Sequence, residues 1–204
     1  MLKHGQRGVT LIELAIGLAI LSILLTLALP SFRMFMQNTQ IKNAAESTLA
    51  GLTLARAEAV RRNTTVRFQF VSDLTNGCAL SATALNWVVS RGDPTGLCLT
   101  APAALDDDAV PTGADPKIIQ KHSAQEGSSN IAVATTGGSF VTFNALGRVV
   151  GAGMTQIDFT NPGGGVCADA GGEMRCLRIM VTTGGQIKMC DPKVAAAGDP
   201  RRCV

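Results

Sequence analysis

Few residues in this chain could do chemistry: one glutamate inside an apolar run, six cysteines, one histidine beyond residue 4, and a basic cluster near the C-terminus. Glu13 is the only ionisable side chain between Val9 and Leu29. A carboxylate in hydrocarbon is unfavourable unless it is paired or reaches the interface, and its neighbours in sequence supply no cation. Cys78, Cys98, Cys167, Cys176, Cys190 and Cys203 form no Cys-x-x-Cys pair and lack clustered histidines. This spacing speaks against zinc and for disulfides made in an oxidising compartment such as the periplasm. The pairing stays open from sequence alone. Closing the shortest loops in order joins Cys78 to Cys98, Cys167 to Cys176 and Cys190 to Cys203, with buried free thiols as the alternative.

His122 has no motif around it and reads as a strand-end surface residue. No Gly-x-Ser-x-Gly elbow, phosphate-binding loop or His-Glu-x-x-His helix occurs. The expectation is therefore a structural or binding protein, not an enzyme, with no cofactor and no metal. Asp106, Asp107 and Asp108 lack the ligand spacing of a calcium loop and read as a solvated acidic tip. The whole chain carries a formal charge of only +3, so any polyanion partner must depend on where the charges sit. Arg175, Arg178, Lys188, Lys193, Arg201 and Arg202 outnumber Asp191 and Asp199 at the C-terminal end. Such a cluster can hold the phosphates of double-stranded DNA, or serve only as a solvated tail.

The elements that must position these residues follow from hydrophobic period. The 21 residues Val9–Leu29 would span roughly 31 Å as a helix, the thickness of a bilayer's hydrocarbon core. Lys3 and Arg7 hold the amino end in the cytoplasm by the positive-inside rule and place the rest outside. Beyond Pro30, Ile41, Ala45, Leu49, Leu52, Ala55 and Ala59 recur every three or four residues, the stripe of an amphipathic helix that ends at Asn63 and Thr64. Gly17 and Pro30 permit bends or local melting within one long helix.

From Thr64 the period changes to two. Val66, Phe68 and Phe70 alternate with Arg67 and Gln69, a half-buried strand. Further strands are expected over 86–91, 117–122, 131–135, 139–144, 148–150, 156–160, 176–182 and 186–190, with a hairpin turn at Gly184-Gly185. The segment 100–116, with its three prolines, reads as a long surface loop. The expected fold class is α+β: a long N-terminal helix packed on one or two antiparallel sheets. The expected organisation is a leader at 1–8, a transmembrane half-helix at 9–30, an amphipathic half-helix at 31–63 and a β-rich periplasmic domain at 64–204.

The stretch Arg7-Gly8-Val9-Thr10-Leu11-Ile12-Glu13-Leu14 resembles the class III signal of type IV pilins and type II secretion pseudopilins. The likeness includes the basic leader, Gly8, the glutamate five residues into the mature chain, and Pro30. It implies cleavage after Gly8 by prepilin peptidase, methylation of the amine of Val9, and assembly in which Glu13 pairs with the new amine of another subunit. Val9 departs from the usual phenylalanine. Three more segments, 54–63 leading into the strand at Thr65, 141–148, and 186–192 with the closing 198–203, resemble the GspH/FimT group of minor pilins and pseudopilins. That resemblance implies a subunit in the inner membrane that joins a surface pilus or a pseudopilus, with other pilins or pseudopilins as partners. In FimT proteins a C-terminal Gly-Arg-x-Arg motif contacts DNA during natural transformation. Here the matching positions read Gly185-Gln186-Ile187-Lys188. Lys188, Arg201, Arg202 and Arg178 are then the candidate DNA contacts, and a Cys190 to Cys203 bridge would hold the first three together.

Overall fold

A computed structural model describes residues 10–104, 107–126 and 129–203. Helix α1 runs Leu11–Arg61 and is followed by strands β1 (Val66–Val71), β2 (Asn86–Ser90), β3 (Ile118–His122), β4 (Ala132–Thr136), β5 (Phe140–Phe143), β6 (Gln156–Thr160), β7 (Leu177–Val181) and β8 (Ile187–Cys190). The chain divides into two compact units, residues 1–36 and 37–204.

In the first unit, α1 is apolar on every side. Its large side chains from Leu11 to Leu29 are all exposed, and the segment is long and apolar enough to cross a membrane. Its few hydroxyls are satisfied by the helix itself: Ser22 donates to the Leu18 carbonyl, Thr26 to that of Ile23 and Ser31 to that of Ala28. Such internal bonds let a hydroxyl sit in hydrocarbon without an orphan donor. The helix is continuous through Gly17 and Pro30, so neither of these residues breaks it.

In the second unit, α1 residues from Gln37 onward lie with two four-stranded antiparallel sheets, ordered β3-β2-β1-β5 and β4-β6-β7-β8. Ile41, Ala44, Ala45, Thr48, Leu52, Ala55 and Ala59 are fully or almost fully buried. Small residues on this helical face bring it close to the sheet. A Cβ on Gly51 would come within 2.9 Å of the Phe68 ring and 3.0 Å of Trp87. Past Arg61 the helix stops at Asn63, whose φ of 50° is the left-handed conformation that asparagine tolerates better than most residues.

Two expectations need correction. β1 is buried on both faces, with Gln69 fully enclosed. The segment after β1 covers its second face and makes a small second core of Val71, Cys78, Val88, Cys98 and Ile118. The expected strand at 148–150 is reduced to one bridge between Phe143 and Val149. Asn144 Oδ1 accepts the N–H groups of Leu146 and Arg148, and the Val149 N–H donates to the Thr183 carbonyl. This stretch is therefore a turn that joins β5 to the β7–β8 hairpin.

Candidate assembly and binding sites

Glu13 stands in the first turn of α1. Thr10 Oγ1 accepts the Glu13 N–H at 3.3 Å and lies 3.5 Å from the carboxylate. Thr-x-x-Glu is a helix-start signature, and a negative charge there suits the helix dipole. The sequence reading missed this second role. Among the described residues from Thr10 to Phe32, Glu13 is the sole ionisable side chain. Gly8 and Val9 lie outside the described residues. Pro30 lies within the continuous part of α1.

Three disulfides fix the loops: Cys78 to Cys98, Cys167 to Cys176, and, at the C-terminal end, Cys190 to Cys203. The third ties the tail to the end of β8. The Asp191 N–H donates to the Arg201 carbonyl, and Lys188 Nζ donates to the Arg202 carbonyl at 2.9 Å. Lys188, Arg201 and Arg202 thus come together. Their charges are partly matched: Arg201 chelates Asp199 at 3.2 and 2.8 Å, holding that carboxyl well below its usual range, at about 2. Arg178 bonds Asp158 at 2.6 Å across the β6–β7 register pair, and Arg175 bonds Asp191 at 2.9 Å. Lys188 projects from β8 opposite Met180 of β7.

The segment 100–116 is not a free acidic tip. Asp107 binds Lys117 Nζ at 2.9 Å, and Asp115 binds the same ammonium at 2.8 Å. The Asp107 carbonyl accepts Arg62 at 2.8 Å. Arg62, only 4% exposed, also bonds Glu58 at 2.8 Å, while Arg91 donates to the Ala109 carbonyl. Asp108, 83% exposed, lies 3.7 Å from Arg62 Nη1, and Asp106 lies outside the described residues. His122 does end a strand, but it stacks on Trp87 with ring centroids 5.3 Å apart and meets Glu126 through Nδ1 at 3.1 Å.

This strap has a defined pH window. Hydrogen bonds from Lys117 lower the pKa values of Asp107 and Asp115, and those from Arg61 and then Arg62 lower that of Glu58 against its desolvation. Depressed carboxyls contribute fully above their unfolded value near 4 and lose that contribution as pH falls through the folded value. Lys117 is raised, chiefly by Asp115, so its contribution is complete below about 10.4 and fades above the raised value. Hydrogen exchange of 100–116, corrected for intrinsic rate, should stay slow at neutral pH and quicken below about pH 4. Asp107→Asn should quicken it at neutral pH. A profile flat into acid and indifferent to that substitution would contradict the network.

Against known proteins, the family model described as type II transport protein GspH matches residues 44–185. The model of the prokaryotic N-terminal methylation motif matches residues 3–29. The pilin-like protein PilA1 of Thermus thermophilus is 40% identical over 75 residues, 37% of this chain. The chain spans about half of that relative's length, 47%. The crystal structure of the type IV minor pilin FimU of Pseudomonas aeruginosa (strain PAO1) aligns with a TM-score of 0.44 at 19% identity, covering 76% of this chain and 91% of FimU. A second crystal form gives 0.43 at 18% identity, covering 72% and 90%.

Proposed function

The chain belongs to the family of type II transport protein GspH, a minor type IV pilin or GspH-like pseudopilin, and from that premise we propose that it is a minor type IV pilin that supports pilus assembly at or near the tip. Prepilin peptidase cuts after Gly8, the Val9 amine is methylated, and α1 holds the subunit in the inner membrane with the disulfide-bonded unit in the periplasm. The subunit then leaves the bilayer for a filament built with other minor and major pilins. One observation carries this reading: among the described residues, Glu13 is the lone charge in the apolar part of α1 up to Leu29, a stretch exposed on all sides. Such a surface needs lipid or other helices around it, and such a carboxylate needs a cation at its own depth. The amine of a neighbouring mature subunit is that cation.

DNA uptake is a second reading, supported by the tail bridge that gathers Lys188, Arg201 and Arg202. A lysine gives phosphate a point charge where arginine would give a flat fork. Deletion of the gene separates the readings. Loss of surface pili is expected. Loss of transformation with pili intact favours DNA binding, and exoproteins retained in the periplasm with pili intact favour the type II secretion pseudopilin.

A further inference from the structure

A sheet edge presents unpaired N–H and C=O groups to any strand that approaches, and proteins blunt such edges with lysine, proline, bulges or covering segments. Three of the four edges here are blunted. β3 carries Lys121, faces a register shift in β2 at Val89/Ser90, and takes the Ala103 N–H at the Ile118 carbonyl. β5 is covered by the turn after it: the Val150 N–H donates to the Thr142 carbonyl and that of Met154 to Phe140. β8 carries Lys188 and is met at its end by the tail, through the bridge between Asp191 and Arg202.

β4 has none of these devices. It reads Ala132-Val133-Ala134-Thr135-Thr136, and no Asp, Glu, Lys, Arg or His stands anywhere between Glu126 and Arg148. One side of β4 pairs with β6 in unbroken register from Ala132–Thr160 to Thr136–Gln156. Among the described residues no backbone group from another segment bonds its outer edge. Ala134 and Thr136 are exposed and Val133 is buried.

We propose that the outer edge of β4 is an interface for β4 of a second copy of this chain, paired antiparallel about a two-fold axis at Ala134. The strand is self-complementary in that arrangement. Ala134 faces Ala134 of the other copy, Ala132 faces Thr136, and Val133 faces Thr135. The two-fold axis keeps each inner face on the same side, so Val133 stays with the cores and only small uncharged side chains meet on the outer face. β4 carries no charged side chain, so no like charges oppose each other in this pairing. Isologous two-fold contacts are the commonest homo-oligomeric arrangement. A strand of five residues buries less surface than a free-standing dimer needs. Confinement of both copies to one membrane supplies the missing effective concentration.

Opposed residues in an antiparallel pair have Cα atoms roughly 4.5 to 5.5 Å apart, within the span of a disulfide. Ala134→Cys in the full-length chain, expressed in its own membrane and oxidised mildly, should therefore run mostly as a covalent homodimer. Ala132→Cys or Thr136→Cys alone should stay monomeric, and the two co-expressed should cross-link to each other. Leu146→Cys, exposed in a loop, should stay monomeric. Ala134→Lys, carried by both the Thr136→Cys chain and the Ala132→Cys chain, sets lysine against lysine and should cut that cross-link at least tenfold. Any one of three results overturns the proposal: no dimer from Ala134→Cys, equal dimer from every position, or an adduct with another polypeptide in place of the homodimer. All three readouts are independent of whether filaments form, so failure here leaves the assembly reading standing.

Discussion

Glu13→Ala is expected to leave the protein inserted in the membrane and remove it from filaments. The substitution makes the apolar segment more apolar, so insertion does not suffer. Assembly does, because a neighbour's amine would then be buried without its counter-charge. Removing one partner of a buried ion pair costs roughly 3 to 5 kcal/mol, about a hundredfold or more in incorporation. Alanine also removes the contact with Thr10 at the helix start, so Glu13→Gln is the sharper test. It keeps a side chain able to bond Thr10 and removes only the charge. Sheared filaments should be as depleted of Glu13→Gln as of Glu13→Ala, with equal amounts of each in the membrane. Normal incorporation of the glutamine variant would show that capping, and not charge pairing, is what Glu13 supplies.

The second large effect concerns the Cys78–Cys98 bridge. These sulfurs sit inside the second core with Val71, Val88 and Ile118, and the bridge spans 20 residues. Closing a loop of that length stabilises a fold by about 3 kcal/mol, mainly by restricting the unfolded chain. Cys78→Ser with Cys98→Ser puts hydroxyls beside the Pro94 carbonyl, which lies 3.3 and 3.4 Å from the two sulfurs and can accept from a serine, so the expected loss is that of the bridge, about 3 kcal/mol. Chemical denaturation of the full-length protein in detergent should show it. Trp87, stacked on His122 and packed against a tilted Phe68 ring, reports the transition by fluorescence. A midpoint unchanged from wild type would mean that the packing around the bridge, without the bond, holds the loop.

The helix and all but one of the expected strands were readable because each has its own local period. The apolar run to Leu29, the stripe from Ile41 to Ala59, and the alternation at Val66, Phe68 and Phe70 depend only on nearby residues. What could not be read depends on residues far apart in sequence. Gln69 looks like a solvent-facing strand residue until the loop bonded through Cys78 and Cys98 folds over it. Asp107 looks like part of a free acidic run until Lys117, ten residues away, and Arg62, just past the end of α1, reach it. The 148–150 segment has strand-like composition, yet the Val149 N–H finds Thr183 in a different hairpin. The role of Thr10 as helix start is legible in Thr-x-x-Glu, because its hydroxyl accepts the Glu13 N–H. The gathering of Lys188 with Arg201 and Arg202 was conditional on one disulfide, which the structure contains. The carboxylates that neutralise their neighbours, Asp158, Asp191 and Asp199, could not be assigned from sequence.

Everything proposed for assembly requires that the amine facing Glu13 exist, and it exists only after the chain has been cut. Intact-mass and terminal-peptide mass spectrometry of the protein from its own membrane reads this directly. The expected terminus is Val9 carrying a methyl group on its nitrogen. A native protein that still begins at Met1 and carries Gly8 within the chain would contradict the account.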